Sequence, residues 1–203
     1  MRVQLRIVAG SLRGRKIACQ VNAKLGIRPT PDRVREALFN ILADSVMDRP
    51  FIDVFAGSGV VGLEAISRGA QPVFFIERDL RQVQEIHNYL EEWRVVELAR
   101  LTRADAYRWA RAWEAPGEPV TVFVSPPFAD FQRRTDELLE LLDAFASSAA
   151  SGSRIILQAE RHSELDGHPA LSAWEARAYG RNLLLLHTCG GGPLTEPPGC
   201  AEP

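Results

Sequence analysis

The chain has 203 residues, 46% of them hydrophobic and 25% charged, with a net charge of −2 at pH 7, which suits one soluble domain able to bury a core of ordinary size. No stretch approaches the roughly 20 apolar residues of a membrane span, and M-R-V-Q-L-R-I-V-A-G at the N-terminus has no apolar segment of a secretory signal. Cys19, Cys189 and Cys200 are too few and too scattered for a disulfide framework or a zinc site, so a reducing cytoplasm, no membrane and no metal are expected.

Two β-leaning stretches, around Val3–Val8 and Lys16–Cys19, flank the turn-rich A-G-S-L-R-G-R and predict a short hairpin, with an exposed loop over 20–29. Residues 1–40 hold nine basic side chains against Asp32 and Glu36, a balance of +7, and the remaining 163 residues carry −9. A polyanion would meet the protein at this end, where the positive potential is concentrated. The competing reading is a solvated arginine-rich surface. A helix is expected from Thr30, with Thr as N-cap, Pro31 in the first helical position and Asp32 at the positive helix end. Val34, Leu38, Ile41 and Leu42 repeat at helical spacing and would face the core, with Arg33 and Arg35 off that face.

From residue 51 the pattern changes. Candidate strands at Phe51–Phe55, Val73–Glu77, Leu98–Thr102, Val120–Val124, Arg154–Gln158 and Leu183–His187 alternate with helical stretches such as Leu63–Ser67, Leu80–Trp93 and Thr135–Phe145. Short apolar strands separated by helices predict an α/β domain with a mainly parallel sheet covered on both faces. The Gly/Pro-rich end of the chain, from residue 189 onward, is expected to be disordered.

The first strand of this region, F-I-D-V-F, runs into A-G-S-G-V-V-G-L-E-A. Gly57 and Gly59 allow a tight turn and close backbone approach to a ligand, and the next helix points its N-terminal amides at the same place. In open α/β sheets ligands sit outside the carboxyl ends of the strands, where this loop lies. Gly57, Gly59 and Gly62 also satisfy G-x-G-x-x-G, so S-adenosylmethionine, a nicotinamide dinucleotide and a structural turn are all open here. Asp53, four residues before Gly57, would suit a cationic ligand better than a pyrophosphate, although backbone amides could equally satisfy it. Glu77 ends the next strand and could bond ribose hydroxyls.

V-T-V-F-V-S-P-P-F follows the fourth of these strands. Two prolines fix two backbone angles and remove two N–H donors. Phe128 could stack on a flat base, and the Ser125 hydroxyl and a proline carbonyl could each accept one N–H of an exocyclic amine. That arrangement contributes proximity and alignment. The bland alternative is a turn with Phe128 in the core.

S-P-P-F resembles the [D/N/S]-P-P-[Y/F/W] acceptor motif of class I amino-group methyltransferases, and D-V-F-A-G-S-G resembles their S-adenosylmethionine loop. R-I-V-A-G-S-L-R-G-R-K-I, R-P-T-P-D-R-V-R-E-A-L-F-N-I-L, G-L-E-A-I-S-R-G-A and A-Y-G-R-N-L-L-L-L are together similar to the bacterial 16S rRNA (guanine-N2)-methyltransferases over about residues 5–188. The resemblance implies a Rossmann-like fold with a mainly parallel seven-stranded sheet and helices on both faces, plus a small basic N-terminal hairpin and helix. It divides the chain into an RNA-contact appendage (1–29), the methyltransferase domain (30–188) and the tail (189–203).

Carried over, it puts Asp53, Phe55, Gly57, Ser58 and Gly59 around the methionine part of S-adenosylmethionine. Glu77 falls at the ribose and Asp105 near the adenine amine. Arg28, Pro29 and Thr30 fall in the segment that closes over the cofactor. Ser125, Pro126, Pro127 and Phe128 form the acceptor clamp. Arg6, Arg13, Arg15 and Lys16 meet 16S rRNA or the assembled small ribosomal subunit. The sequence departs from the family at Ser125, where Asp is usual, and at Asn182, where Thr is expected. A hydroxyl is a weaker acceptor than a carboxylate, which keeps an adenine-N6 methyltransferase on DNA or RNA open, as well as a catalytically weak RNA-binding assembly factor. Asp105 could instead cap a helix at Ala106–Ala112. His87, His162, His168 and His187 show no metal-ligand spacing, and the expected form is a monomer.

Overall fold

The protein is described from a computed structural model over residues 2–20 and 30–190. β1 (Arg2–Arg6) and β2 (Lys16–Gln20) pair antiparallel as the expected hairpin. The first strand is shorter than the apolar run suggested, because residues 7–12 leave it to pack on a helix of the main domain. Val8 and Ala9 donate their amides to the Glu64 carboxylate at 2.8 and 3.0 Å. Leu12 donates to Ser67 Oγ at 2.9 Å, and Ser67 Oγ donates to the Ala9 carbonyl. Gly10 has φ +81°, and a Cβ there would lie 1.7 Å from the Ser67 carbonyl oxygen. The approach is too close for any other residue.

α1 (Asp32–Leu42) begins one residue later than expected, with Pro31 in extended geometry at its N-cap. Thr30 is not the cap; its hydroxyl donates to Gln158 Oε1 at 2.8 Å, where a specific side-chain acceptor is available. The placing of Arg35 off the buried face is corrected: it is 0% exposed. Its Nη1 donates to the Thr30 carbonyl at 2.7 Å, and its Nη2 to the Arg6 carbonyl at 2.7 Å and to Asp32 Oδ1 at 3.0 Å. A buried guanidinium is tolerable when several acceptors replace its water. Arg33 is exposed as expected.

The main sheet has seven strands: β3 (Phe51–Asp53), β4 (Val73–Glu77), β5 (Ala99–Arg103), β6 (Thr121–Val124), β7 (Arg154–Glu160), β8 (Glu175–Tyr179) and β9 (Asn182–Thr188), in the spatial order β5-β4-β3-β6-β7-β9-β8. The pairings among β3 to β7 are parallel, and β9 runs antiparallel to β7 and β8. β3 is shorter than the Phe51–Phe55 expectation because beyond Asp53 its backbone makes single bonds, Val54 to Phe123 and Ala56 to Ile76, without a ladder. β8, E-A-R-A-Y, was not picked out from sequence: it is a short edge strand that alternates small and charged residues and carries no apolar run.

α2 (Val60–Ser67), α3 (Leu80–Glu92), α4 (Ala106–Ala110), α5 (Asp130–Arg133) and α6 (Thr135–Ser148) complete the domain. One apolar core joins the hairpin, α1, α2 and α3 to one face of the sheet, and a second joins α4 and α6 to the other. Phe51 and Ile52 fall in different cores, the alternation that period-2 side chains impose on a strand covered twice. Cys189, assigned to the tail from sequence, is buried and exchanges backbone hydrogen bonds with Gly152 and Ser153, so ordered packing continues past residue 188. Among the described residues no helix is long and apolar enough to cross a membrane.

Candidate functional site

β3 pairs with β4 on one side and with β6 on the other. The direction of strand succession reverses there, and a crevice opens outside the carboxyl ends. A cavity of about 290 Å³ fills it. The loop after β3 and the S-P-P-F turn after β6 form two of its walls, so sequence segments 70 positions apart face one space.

The glycine loop is built from inside. Asp53 is 1% exposed and accepts the Gly62 amide through Oδ2 at 3.0 Å. A Cβ on Gly62 would sit 2.2 Å from the Phe75 ring, and one on Gly59, which has φ +74°, would sit 2.7 Å from Ile86. Gly62 therefore lets α2 approach β4, and Gly59 turns the chain into α2. Glu77, at the end of β4, accepts the Gly57 amide through Oε2 and the Asp79 amide through Oε1, both at 2.8 Å. Burial pushes the Asp53 carboxyl up to about 7, opposed by the Gly62 hydrogen bond and reinforced by the nearby Glu77 charge. A carboxyl so placed gains most from a cationic neighbour, which would restore its ionised form.

Asp105 caps α4 by accepting the Arg108 amide at 3.1 Å and also lines the cleft, so the capping and cleft-lining roles coexist. Behind it, the Arg134 guanidinium lies 3.7 Å from the centre of the Tyr107 ring and pairs with Glu137 at 2.6 Å. Phe55 meets the same ring edge-on with centroids 5.3 Å apart. The Tyr107 hydroxyl donates to Asp130 Oδ2 at 2.9 Å, which ties α4 to the helix just beyond the clamp.

In the clamp, the Asp130 amide donates to the Pro127 carbonyl at 2.9 Å and closes the turn. Among the described residues Ser125 Oγ and the Pro126 carbonyl take no hydrogen bond, although both residues line the cleft. They leave two acceptors beside Phe128.

Of the residues expected at the site, Thr30, Asp53, Phe55, Gly57, Ser58, Glu77, Asp105, Ser125, Pro126, Pro127 and Phe128 line the one cleft. Gly59 shapes the loop without lining it. Arg28 and Pro29 lie outside the described residues. Arg6, Arg13, Arg15 and Lys16 are exposed on the hairpin arm, away from the cleft lining. Arg6 pairs loosely with Asp32 at 3.6 Å, and the Arg15 guanidinium lies 5.9 Å from the Trp93 ring centre. Sequence reasoning missed Cys19, Tyr107, Asp130 and Gln158, all of which line the cleft. Asn182 now has a role: its Oδ1 accepts from Gln158 Nε2 at 3.3 Å, and Gln158 in turn holds Thr30. Among the described residues no group of three or more His, Cys, Asp and Glu side chains could hold a metal ion.

The family described as conserved hypothetical protein 95 matches residues 5–188. YlbH of Bacillus subtilis (strain 168), named as a provisional rRNA methyltransferase, is 31% identical over 165 residues, which cover 79% of this chain and 85% of that protein. Ribosomal RNA small subunit methyltransferase D of Escherichia coli (strain K12) is 42% identical over 125 residues, 62% of this chain and 61% of that protein. Among solved structures, yhhF of Escherichia coli, titled a provisional methyltransferase, superposes with a TM-score of 0.73 at 31% identity, covering 92% of this chain and 98% of that one.

Proposed function

The chain belongs to the family described as conserved hypothetical protein 95, and from that premise we propose that it is an S-adenosylmethionine-dependent methyltransferase acting on the exocyclic N2 amine of a guanine in 16S rRNA. The observation that carries this reading is the shared cleft: an acid-lined glycine loop and a two-acceptor S-P-P-F turn open into one cavity of about 290 Å³. The small-subunit rRNA named for the Escherichia coli relative supports the substrate class.

The cleft's residues fit the cofactor. We assign Asp53 to its cationic amino-acid end, with Phe55, Gly57 and Ser58 around it and Gly59 setting the loop. Glu77 takes the ribose hydroxyls, Asp105 lies at the adenine edge, and Thr30, held by Gln158, continues from Arg28 and Pro29 as the closing segment. S-adenosylmethionine, when bound, supplies a methyl group on a positively charged sulfur, open to direct displacement by an amine. Every other contribution comes from the chain. Ser125 Oγ and the Pro126 carbonyl accept the two N–H groups of the amine and fix its plane. Phe128 stacks on the base. The rigid Pro126–Pro127 backbone holds this geometry at little further entropic cost, so the clamp acts by alignment. The surplus proton leaves the amine for water, so no strong base is required of the protein. The exposed hairpin charges Arg6, Arg13, Arg15 and Lys16 supply a landing surface for the rRNA phosphates. The substrate puts the reaction in the cytoplasm, and one open face suffices for a monomer.

The test supplies labelled S-adenosylmethionine to unmodified small ribosomal subunits, naked 16S rRNA and duplex DNA, and identifies the labelled nucleoside by mass. N2-methylguanosine in the rRNA is expected. N6-methyladenosine would overturn the base assignment, and cofactor binding without transfer would overturn the enzyme reading in favour of a binding factor.

A further inference from the structure

A second, smaller cavity of about 150 Å³ meets the main cleft at Phe128, which lines both. On one side stand Phe131 and Gln132 of α5, the helix that continues from the clamp. On the other stand Glu160, the last residue of β7, and Arg161, Ser163 and Glu164 of the turn after it. That turn is held by its own backbone contacts. Arg161 donates its amide to the Arg181 carbonyl at 2.9 Å, His162 has φ +64° and donates to Asp166 Oδ2 at 2.8 Å, and Leu165 is fully buried beneath. The Ser163 hydroxyl is shut off from solvent and, among the described residues, has no hydrogen-bond partner. A hydroxyl left so costs about 1–3 kcal/mol unless something supplies a partner.

We propose that this cavity is a subsite for a nucleobase adjacent to the one being methylated. The inference rests on the rRNA-methyltransferase reading of the main cleft. Three observations carry it. The cavity shares Phe128 with the acceptor clamp, so its occupant lies next to the place of the target base. It has a donor in Arg161, acceptors in Glu160 and Glu164, and both in Gln132 and His162. A base edge presents donors and acceptors together, whereas a phosphate would face two carboxylates and be repelled. Finally, Ser163 lines the cavity, and its hydroxyl is the one polar side-chain group of that lining left both closed to solvent and unpartnered among the described residues. Sequence-selective RNA recognition works in this way on unstacked, splayed nucleotides. The subsite makes the clamp a reader of at least two bases, and it gives the protein a means of choosing one guanine among many.

The test uses the full-length protein and small subunits rebuilt with rRNA carrying an abasic ribose at each position flanking the modified guanine. Turnover is measured with the wild type and with a Gln132→Ala, Ser163→Ala double variant, alongside S-adenosylhomocysteine affinity. An abasic ribose at one neighbour is expected to lower wild-type kcat/KM about tenfold. The double variant should lose a comparable factor on intact rRNA and little more on that abasic rRNA, with cofactor affinity unchanged. Equal wild-type rates on all abasic substrates, or losses that multiply between variant and abasic site, would overturn the subsite while leaving the methyltransferase reading intact. No transfer by the wild type to any substrate would overturn both.

Discussion

The two walls of the cleft are built on opposite principles. The glycine-loop wall is saturated: Asp53 takes the Gly62 amide, Glu77 takes the Gly57 and Asp79 amides, and α2 behind them is buried along its whole length. The clamp wall is stiff by covalent geometry and, among the described residues, leaves Ser125 Oγ and the Pro126 carbonyl without hydrogen bonds. On the function proposed above, the first wall serves a cofactor and can be pre-formed by internal bonds, whereas the second receives an incoming amine and has to hold acceptors in reserve. Preorganisation here means satisfied groups on one side and immobilised, unsatisfied groups on the other.

The contrast can be broken at several points. The largest effect is expected from Glu64→Ala, which strands the Val8 and Ala9 amides and Arg68. It should cost about 3–5 kcal/mol, read as a lowered urea midpoint. Gly62→Val, which forces a side chain into the Phe75 ring, should cost about 1–3 kcal/mol and abolish S-adenosylhomocysteine binding, measured by calorimetry. Ser125→Ala should lower turnover about fivefold, in line with one lost hydrogen bond of roughly 1 kcal/mol, and leave cofactor affinity nearly unchanged. Unchanged turnover would show that the Pro126 carbonyl and Phe128 suffice.

Two smaller effects sharpen the picture. Asp53 has a folded pKa of about 7, above its ordinary 3.8. Its contribution to the unliganded fold is fully present below the ordinary value and is lost as pH rises through about 7. A cationic ligand prefers the ionised form, so binding should release a proton, and S-adenosylhomocysteine affinity should rise from pH 6 to 8 and then level off. Titrations in buffers of different ionisation enthalpy would show the proton, and Asp53→Asn should remove it. Arg13→Ala with Arg15→Ala should weaken rRNA binding at low salt and reduce the slope of log K against log salt by about 1.5. A fall in cofactor affinity without one in rRNA affinity would overturn the surface assignment.

What sequence reveals follows the same division. Strands such as Val73–Glu77 and the loop glycines are legible because periodicity and missing side chains are local signals. S-P-P-F is legible because two prolines cannot continue a central strand. Glu64 and Arg35 were not legible: a charged residue on a helix is ordinarily solvated, and the partners that make these two buried lie 55 or 56 positions away for Glu64 and 29 for one carbonyl held by Arg35. Tyr107 and Asp130 escaped for the same reason, since their bond spans 23 residues and two helices. E-A-R-A-Y was missed because an edge strand needs no apolar run.

The anchoring of residues 8–12 on Glu64 and Ser67 carries a consequence in time. Each of those contacts joins residues 55 to 58 positions apart. With synthesis at about 5–20 residues per second, the arm waits about 3–11 s for its partners to be made. Throughout that interval the most basic part of the chain is untethered beside the ribosome that is making it, and its attachment becomes possible only once the cofactor-loop helix exists. The order of manufacture therefore makes the loop a precondition for the settled arm.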